Sequence, residues 1–509
     1  MAVTAAPTDE RAVRLDPAEP RLARLIAERA PRVLVLGDAL LDSWDSGQVH
    51  RTGRDGPVPV VEVGRRRTAP GGAANVAAAL AALGARTELV TSVGDDRTGR
   101  TLRRALTEAG VRTDRWVIDP ARPTAAKHRV LAGEPDEQLV ARYDVLPPAP
   151  DKAVTRALAD QASTALDEPW DAVLVADYGL GALDGPVRRR VRRARERIPL
   201  LVVDAHELGR WAELAPDAVT PSVEEAAGLL GEPVPDHDRA SWGAARQHRL
   251  VSAAGGGHVL LTLDVDGVLW LPPEGPPRRA PAAAPAPAAR ACGAGDEFAA
   301  AWTAARACDV DPGPATALAQ AAADVVVGRP ATAVCGTGAL VARLATVDRG
   351  RLLDHADLLA VLAERRAAGD RIVFTNGCFD VLHRGHVAYL QQARELGDLL
   401  VVALNSDASV SRLKGPTRPI NPLADRAGVI GALAAVDLVT WFDTDSPVPL
   451  LEQARPDVYA KGGDYTAQML PETPVIEAQG GEVRILDYLS DHSTTAIVDR
   501  VRHSPAEQA

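Results

Sequence analysis

Short runs of branched apolar residues alternate with helical patterns along most of the chain. The run Val33–Leu36 ends in a Gly-Asp pair, and a helical pattern follows at Ala73–Leu83. The same order returns later, where the apolar run Ala172–Ala176 precedes a basic helical pattern at Pro186–Glu196. Buried strands that alternate with amphipathic helices are typical of a parallel sheet covered by helices. The sequence therefore predicts an α/β fold with a mainly parallel sheet.

The other predicted elements follow the same pattern. The predicted helices are Pro20–Ala30, Gly99–Ala109, Glu297–Ala307, Ala315–Val327 and Asp357–Ala368. The predicted strands are Thr87–Val93, Leu200–Asp204, Val259–Thr262, Arg371–Thr375 and Leu399–Leu404. Residues 1–20 are rich in proline and alanine, which favours disorder, and 271–290 is predicted to be a loop of similar composition.

The chain is long enough for more than one domain. It has 509 residues, and a second strand–turn–helix unit starts near Leu352. Single hydrophobic cores rarely serve chains of this length. We predict a disordered or helical extension at 1–30, a larger domain at 31–345, a linker at 346–356 and a smaller domain at 357–509.

Composition excludes several classes of protein. The 57 Lys and Arg against 68 Asp and Glu give a net charge of −11, without a dense basic tract. Nucleic-acid and membrane-surface partners are therefore not expected. No apolar run is long enough to span a membrane, and the N-terminus lacks a secretory pattern, so we expect a cytoplasmic protein. The cysteines are far apart, which favours reduced thiols over disulfides or a structural metal site. They are Cys292, Cys308, Cys335 and Cys378.

The segment Phe374–His386 is the most informative stretch of the sequence. A strand ends there, a tight turn follows, and a helix begins at about Gly385. His383 and His386 are three residues apart and can face the same space. A helix start offers free N–H groups to an anion, and two imidazoles could stabilise charge on a phosphate chain. A surface histidine pair or a partial metal site is the alternative for this spacing alone.

The segment Gly377–His386 resembles the HxGH signature of cytidylyltransferase-like nucleotidyltransferases. Further matching segments follow in order at Asn405–Ser409, Arg412–Gly415, Arg418–Asn421, Lys461–Tyr465 and Ser493–Thr495. Together they resemble the adenylyltransferase half of the bifunctional heptose enzymes, over nearly all of residues 370–502. The resemblance implies a Rossmann-like domain that joins heptose 1-phosphate to the AMP of ATP and releases pyrophosphate.

This resemblance also implies roles for individual residues. His383, His386 and Lys414 would be catalytic, through contacts with the phosphates of ATP. The implied nucleotide and phosphate contacts are Asn376, Gly377, Phe379, Asp380, Arg418, Lys461, Asp464, Ser493, Thr494 and Thr495. A single Lys or Arg is usually a solvated surface charge, so only the ordered occurrence of these residues supports their roles. His492 stands where the family usually has cysteine.

A second chemical centre is predicted at Ala291–Asp296, just before a helix. Small residues at a helix start expose backbone N–H groups to a transferred phosphoryl group. A carboxylate there can take the proton of an attacking hydroxyl. The Gly-Ala-Gly-Asp motif is weak alone, but Asp38, Asp42 and the segment Pro70–Asn75 stand at the expected places upstream.

That set resembles the ribokinase-like carbohydrate kinases over residues 31–340. The segments Gly56–Val60 and Ala176–Gly179 are most similar to the heptose 7-phosphate kinase half. The resemblance implies a ribokinase-like α/β sandwich, with Asp296 as general base. The implied anion hole is Gly293, Ala294 and Gly295. The implied sugar contacts are Asp38, Asp42, Gly71, Gly72, Asn75, Lys127 and Arg129, the last two on the 7-phosphate. The implied ATP contacts are Ser222, Glu225 and Thr262, and Glu225 would act on Mg²⁺ through water. A solvated pair at a strand edge remains an alternative for Lys127 and Arg129.

Four positions depart from the kinase pattern. Ser222 replaces an asparagine, Leu180 and His206 each replace a lysine, and Arg290 stands where related kinases often have aspartate. A lost lysine removes charge that neutralises phosphate, and an exchanged asparagine alters the surroundings of the metal. Kinase activity is therefore less firmly predicted than nucleotidyl transfer.

The leading interpretation is a bifunctional enzyme of ADP-heptose synthesis. It would phosphorylate heptose 7-phosphate at C1, and another enzyme would then remove the 7-phosphate. The second domain would transfer AMP to the resulting heptose 1-phosphate, with Mg²⁺ and ATP in both reactions. Two alternatives remain open. The same architecture could use another sugar phosphate or CTP, or the N-terminal domain could be a non-catalytic binding or dimerisation module. The expected partners are small-molecule substrates, ATP and heptose phosphates, and the resemblance implies a homodimer.

Overall fold

A computed structural model gives two compact units, one up to Leu340 and one from Val341. The structure describes residues 12–54, 56–133, 137–183, 185–235, 237–283, 292–327, 329, 331–347, 351–463 and 466–486. In these ranges no helix is both long and apolar enough to cross a membrane.

The first unit is built from fifteen strands and ten helices in the described residues. Its strands are β1 (Val13–Arg14), β2 (Arg32–Gly37), β3 (Ala39–Thr52), β4 (Pro59–Gly72), β5 (Arg86–Val90), β6 (Ser92–Gly94), β7 (Val117–Asp119), β8 (Ala126–Ala132), β9 (Gln138–Val145), β10 (Ala172–Asp177), β11 (Leu201–Ala205), β12 (Ala218–Val219), β13 (His258–Thr262), β14 (Val268–Leu271) and β15 (Arg278–Ala280). Its helices are α1 (Pro20–Arg29), α2 (Ala73–Ala82), α3 (Arg97–Glu108), α4 (Lys152–Leu166), α5 (Gly185–Ala194), α6 (Val223–Leu230), α7 (Arg239–Ala244), α8 (Gln247–Ala253), α9 (Ala294–Arg306) and α10 (Pro312–Val327). Helix α11 (Thr337–Val347) follows and spans the division between the units.

A nine-stranded sheet forms the core of this unit. Its order is β1-β15-β14-β13-β12-β11-β10-β2-β5, and only β14 runs antiparallel to its neighbours. The strands β2 and β10 are apolar at almost every position because helices cover both faces of the sheet. The predicted α/β fold with a mainly parallel sheet is confirmed.

A second sheet of four strands stands apart from the core. Its order is β4-β3-β8-β9, and sequence analysis assigned none of these strands. Strand β3 leaves the core directly after Asp38, and β4 returns to it at Gly72. The register sets Asp42 beside Lys127 and Trp44 beside Arg129. These side chains therefore share one face of the sheet, since neighbouring strands align their side chains.

Three local predictions were wrong. Val13–Arg14 is not disordered but pairs with Arg278–Arg279, and this pairing also places a strand inside the predicted loop 271–290. Residues 1–11 and 284–290 lie outside the described residues. The predicted strand Thr87–Val93 is divided into β5 and β6 at Thr91. These features depend on pairing between distant segments, which local sequence patterns do not report.

The second unit is a five-stranded parallel sheet with helices around it. In the described residues its elements are α12 (His355–Ala367), β16 (Ile372–Gly377), α13 (Arg384–Arg394), β17 (Leu399–Asn405), α14 (Asp407–Lys414), α15 (Leu423–Gly431), β18 (Leu438–Phe442), α16 (Val448–Ala454), β19 (Val458–Gly462), α17 (Thr473–Ala478) and β20 (Glu482–Leu486). The strand order is β18-β17-β16-β19-β20. All strands point the same way, so the polar residues that end β16, β17 and β19 lie along one edge of the sheet.

Candidate active sites

The first candidate site surrounds the start of helix α9. Gly293 caps this helix with a φ of +85°, and a Cβ atom there would lie 2.8 Å from Nδ2 of Asn75. Glycine is therefore needed both for the turn and for the close approach of helix α2. Asp296 lies in the first turn of α9, and its Oδ2 accepts a hydrogen bond of 2.9 Å from Asn75. The free N–H groups of Ala294 and Gly295 share this helix start.

Tyr178 joins Asp296 to a second buried acid. Its phenol oxygen lies 2.7 Å from Oδ2 of Asp204 and 2.6 Å from Oδ1 of Asp296. A phenol donates only one proton, so the other short contact requires a proton on one of the carboxyl groups. Burial and the charge of Asp204 raise the pKa of Asp296 to about 7, and burial also raises the pKa of Asp204. Tyr178 therefore links two buried acids, and the pKa of Asp296 lies near neutral pH.

Asp38 stabilises a turn of the backbone in the same region. The backbone N–H groups of Tyr178, Leu180 and Ala182 donate to its carboxylate at 3.1, 2.9 and 2.9 Å. Burial raises the pKa of Asp38 to about 6, despite these donors. The carboxylate that the sequence assigned to sugar binding thus fixes the turn after β10, and Leu180 contributes its amide where related kinases have lysine.

The four-stranded sheet brings a charged cluster to the start of α9. Arg129 donates to Oδ1 of Asp42 at 2.7 Å and to Sγ of Cys292 at 3.2 Å. Its guanidinium also lies over the ring of Trp44, 5.1 Å from the centroid. The neighbouring Gly71 allows this packing, because a Cβ there would lie 2.4 Å from Asp42. Two predicted sugar residues, Asp42 and Arg129, are therefore paired with each other.

Gly72 and Lys127 flank this cluster. Gly72 has a φ of +58°, and a Cβ there would lie 2.7 Å from the carbonyl oxygen of Asp38. Lys127 sits on β8 opposite Asp42 and Asp144, and its charge acts on Asp144 and on His206. It therefore adds positive charge on the side of the sheet that faces the other site residues.

Glu225 also lies near this site, and its charge acts on Asp204. Ser222 and Glu225 make a capping box at the start of α6, with bonds of 3.1 and 2.8 Å. The other oxygen of Glu225 lies 2.6 Å from Nδ1 of His206, and this contact raises the pKa of His206. Thr262 is joined to this group through a bridge to Ser222. The departures Ser222 and His206 thus contact each other through Glu225.

The second candidate site is an open cavity of about 150 Å³ in the C-terminal unit. The lining residues that the sequence predicted are Asn376, Gly377, Phe379, Asp380, His386, Lys414 and Lys461. His383 stacks on His386 with the ring centroids 3.9 Å apart. Burial and the neighbouring charges lower the pKa of His386 to about 4, so this ring is neutral at pH 7.

Lys461 is held in this cavity by a hydrogen-bonded group. Oδ1 of Asn376 accepts bonds from Nζ of Lys461 at 2.9 Å and from the hydroxyl of Tyr459 at 2.5 Å. Burial lowers the pKa of Lys461, although the charge of Glu472 opposes the shift. The ammonium group therefore points at the cavity from a fixed position.

Asp380 organises a loop of this site. Its carboxylate accepts bonds of 2.6 Å from Arg418, 2.7 Å from the amide of Ile420 and 3.1 Å from the amide of Asn421. These donors lower its pKa, although burial opposes the shift. Two predicted nucleotide contacts, Asp380 and Arg418, are therefore paired, and together they hold the segment 418–421 beside the cavity.

Arg426 is a residue of this site that sequence analysis missed. It is 2% exposed and donates to the carbonyl oxygens of Cys378, Asn405 and Asn421 and to the carboxylate of Asp407, at 2.7 to 3.0 Å. One buried guanidinium thus joins the turn after β16, the end of β17 and the loop before α15. Its signal in the sequence was weak, because a lone arginine in a helix is usually solvated.

We expect Arg426→Met to destabilise the C-terminal unit by about 3–5 kcal/mol, since buried acceptors lose a charged partner. The measurement is urea unfolding of the full chain. Arg412→Met is the matched control, because that arginine is half exposed in its pair with Asp445 and should contribute less than about 1 kcal/mol. Equal midpoints for both variants would contradict this role.

Several predicted residues lie outside the described residues. These are Arg290, Asp464, His492, Ser493, Thr494 and Thr495. Conversely, the structure brings Tyr178, Asp204 and Cys292 into the first site and Tyr459 into the second. The sequence held a signal for two of these four residues. Tyr178 and Asp204 stand at the carboxyl ends of predicted buried strands, where ligands of α/β sheets bind.

Comparison with known proteins assigns each unit to a family. Residues 31–337 match the pfkB family carbohydrate kinases, and residues 374–498 match the cytidylyltransferase-like family. The bifunctional protein HldE of Azotobacter vinelandii is 38% identical, over 94% of this chain and 98% of its own length. HldE of Pseudomonas fluorescens strain Pf-5 is 40% identical, over 93% of this chain and 97% of its own length.

The chain belongs to the HldE family. The resemblance to the bifunctional heptose enzymes is thus confirmed. Like the HldE proteins, the chain joins a carbohydrate kinase to a nucleotidyltransferase, and it acts as heptose kinase and adenylyltransferase in ADP-heptose synthesis.

Solved structures confirm the fold of the kinase unit. Phosphofructokinase-2 from Escherichia coli in complex with potassium matches with a TM-score of 0.51 and 18% identity, over 62% of this chain and 98% of that chain. At this identity the likeness shows the fold alone. The HldE-like chain thus has the predicted ribokinase-like α/β sandwich, followed by a smaller Rossmann-like nucleotidyltransferase domain.

Proposed function

We propose that the residues gathered at the start of α9 phosphorylate the C1 hydroxyl of heptose 7-phosphate. The observation that carries this proposal is Asp296 in the first turn of α9, hydrogen-bonded to Asn75 and Tyr178. Each carboxylate oxygen has a second lone pair, so Asp296 can still accept the proton of the sugar hydroxyl. The N–H groups of Gly293–Gly295 would hold the phosphoryl group during transfer.

Mg²⁺ is proposed to enter with the phosphates of ATP. Both oxygens of Glu225 already accept or share a hydrogen bond, one with the amide of Ser222 and one with His206. Each oxygen retains a lone pair that can accept a bond from a metal-bound water, which fits an indirect contact. The ion would neutralise phosphate charge, and Glu225 and His206 would orient its water shell.

The pH dependence of the kinase tests the role of Asp296. We expect kcat/KM to rise with pH through about 7, because the accepting carboxylate must be ionised. The variant Asp204→Asn removes the negative charge that raises this pKa, so the rise should move to lower pH. The measurement is a pH–rate profile of ADP release for both proteins.

Adenylyl transfer in the same buffers serves as the control for that experiment, since it takes place in the other unit. Identical kinase profiles for the wild type and Asp204→Asn would contradict the coupling between the two acids.

Lys127 and Arg129 are proposed to recognise the 7-phosphate. Arg129 is paired with Asp42, whereas Lys127 sits opposite Asp42 and Asp144 with its charge directed among the site residues. Lysine is a common phosphate partner that acts as a point charge.

We expect Lys127→Gln to raise the KM for heptose 7-phosphate about tenfold, the loss of one charged hydrogen bond. The KM for ATP should not change. The measurement is steady-state ADP release, with Arg104→Gln, an exposed arginine on α3, as control. An unchanged KM for the sugar phosphate would leave Lys127 as a solvated surface charge.

The C-terminal cavity is proposed to join heptose 1-phosphate to AMP. A phosphate oxygen of the sugar attacks the α-phosphorus of ATP, the bond to the pyrophosphate breaks, and pyrophosphate leaves. This reaction needs no protein nucleophile, only positioning and charge stabilisation. His386, Lys414 and Lys461 line the cavity and supply hydrogen bonds and positive charge to it. His383 stacks behind His386 and would fix its orientation.

A homodimer and a cytoplasmic location are also proposed. Support for the dimer comes from the edge strand β9 of the four-stranded sheet, where Leu139, Val140 and Tyr143 are 52%, 37% and 51% exposed. Exposed apolar side chains on an edge strand favour contact with a partner. The four free cysteines of the described structure are compatible with a reducing compartment.

A further inference from the structure

A second cavity of the kinase unit lies at the opposite edge of its sheet from Asp296. Its volume is about 420 Å³, a size that suits a small ligand. The residues just before β11, β12 and β13 line it, together with Arg306 at the end of α9. Asp296 stands in the first turn of the same helix, about 15 Å from Arg306 along its axis. The cavity is therefore separate from the phosphoryl-transfer site.

Arg306 brings an unpaired positive charge to this cavity. Its Nε is buried and has no hydrogen-bond partner, and one NH group donates to the carbonyl oxygen of Val310. Within the described ranges, no carboxylate pairs with Arg306. Asp217, which also lines the cavity, is engaged by Arg195 at 3.0 Å and by the amide of Leu201 at 2.7 Å. The guanidinium thus brings to the cavity lining a positive charge that no described carboxylate balances, which favours an anion beside its accessible NH groups.

His258 supplies a second donor with a defined proton. The indole N–H of Trp270 donates to Nδ1 of His258 at 3.1 Å. An indole nitrogen can only donate, so Nδ1 is unprotonated and Nε2 carries the proton. Burial and the charge of Arg306 lower the pKa of His258, which keeps the ring neutral. Pro199, Pro216 and Pro273 also line this cavity, and their rings suit the carbon atoms of a ligand.

We propose that this cavity binds a small organic anion through its phosphate or carboxylate group, with Arg306 as the charged partner. Guanidinium groups bind both kinds of oxyanion in a planar, two-bond geometry. The proposal assigns a ligand site beyond the two reactions, and it does not depend on the substrates of either.

The test is isothermal titration calorimetry of the full chain with glycerol 3-phosphate and, in a separate arm, with malonate. The two arms distinguish a phosphate from a carboxylate ligand. The catalytic sites also bind phosphates, so the measurement compares the wild type with Arg306→Gln. The binding event that differs between the two proteins is assigned to the cavity, and we expect its Kd to rise at least about tenfold in this variant. Arg306→Lys, which keeps the charge, should retain part of the binding.

Two further variants make the result specific. Arg104→Gln removes an exposed arginine of α3 and should bind like the wild type. Pro273→Trp places a large ring in the lining of the cavity without a change of charge, and it should abolish binding of the probe at the cavity. This variant provides an independent test if Arg306→Gln does not fold. Titrations of Arg306→Gln or Pro273→Trp that superimpose on the wild type, or a lack of binding by both probes, would overturn the proposal.

Discussion

The variant Asp296→Asn is expected to lose sugar phosphorylation by a factor of about 10²–10⁴, the usual contribution of a positioned general base. An asparagine keeps the size of the side chain and can still bond to Asn75 or Tyr178, but it cannot take the proton of a hydroxyl. The C1 hydroxyl would then attack the phosphoryl group without a proton acceptor. The measurement is ADP release from ATP with heptose 7-phosphate.

Two controls isolate the effect of Asp296. Asp309→Asn changes an acid of the same unit whose side chain is 91% exposed, and its rate should match the wild type. Pyrophosphate release by the Asp296→Asn protein should also be normal, because adenylyl transfer takes place in the C-terminal unit. Equal ADP release by the wild type and Asp296→Asn would instead favour the alternative in which the N-terminal unit binds sugar phosphates without catalysis.

The departures from the kinase pattern form contacts that the sequence could not show. His206 replaces a lysine, yet it contacts Glu225 at 2.6 Å, and Ser222 caps the helix that carries Glu225. Leu180 replaces another lysine, and its amide holds Asp38. His206, Ser222 and Leu180 thus each have a place in the site, whereas Arg290 lies outside the described residues. Lys127, which comes from a different sheet, carries positive charge near His206 and can replace part of the lost charge.

Local patterns predicted part of each core sheet, because these signals are contained within a few residues. The predicted strands correspond to β2, β5, β10, β11 and β13 of the first sheet and to β16 and β17 of the second. Val33–Leu36 is apolar throughout, and helix α9 follows a run of small residues. The four-stranded sheet was missed because its strands carry many exposed charges. Strand β4, for example, contains Arg65 and Arg66, both exposed, and the partly exposed Arg67. Long strands exposed on one face lack a continuous apolar signal.

The motifs predicted which residues gather at each site, but not what each side chain does there. Asp38 and Asp380 belong to the motifs, and the structure uses both to hold loops through backbone amides. Tyr178 and Asp204 lie 26 residues apart and meet because β10 pairs with β11, with Ala176 opposite Asp204. Such contacts depend on strand register, which no single motif encodes.

His386→Ala is expected to lower pyrophosphate release from ATP and heptose 1-phosphate by a factor of about 10²–10³, as for the loss of one donor to a developing oxyanion. The neutral imidazole, whose pKa burial lowers to about 4, donates a hydrogen bond without the cost of a buried charge. Alanine leaves that space empty, and His383 loses the ring on which it stacks. ADP release by the kinase unit should stay normal.

The matched control for this variant is His355→Ala, which removes a histidine of the same unit that bonds to the carbonyl oxygen of Trp441, outside the cavity. Parallel assays with CTP, GTP and UTP test which nucleotide the site accepts. Release with ATP alone, lost in His386→Ala and retained in His355→Ala, would establish adenylyl transfer at this cavity. Undiminished release by His386→Ala would contradict the assigned role of the histidine pair, and activity with CTP would favour the alternative nucleotide. The two histidine variants thus separate the chemistry of the cavity from the stability of the unit that contains it.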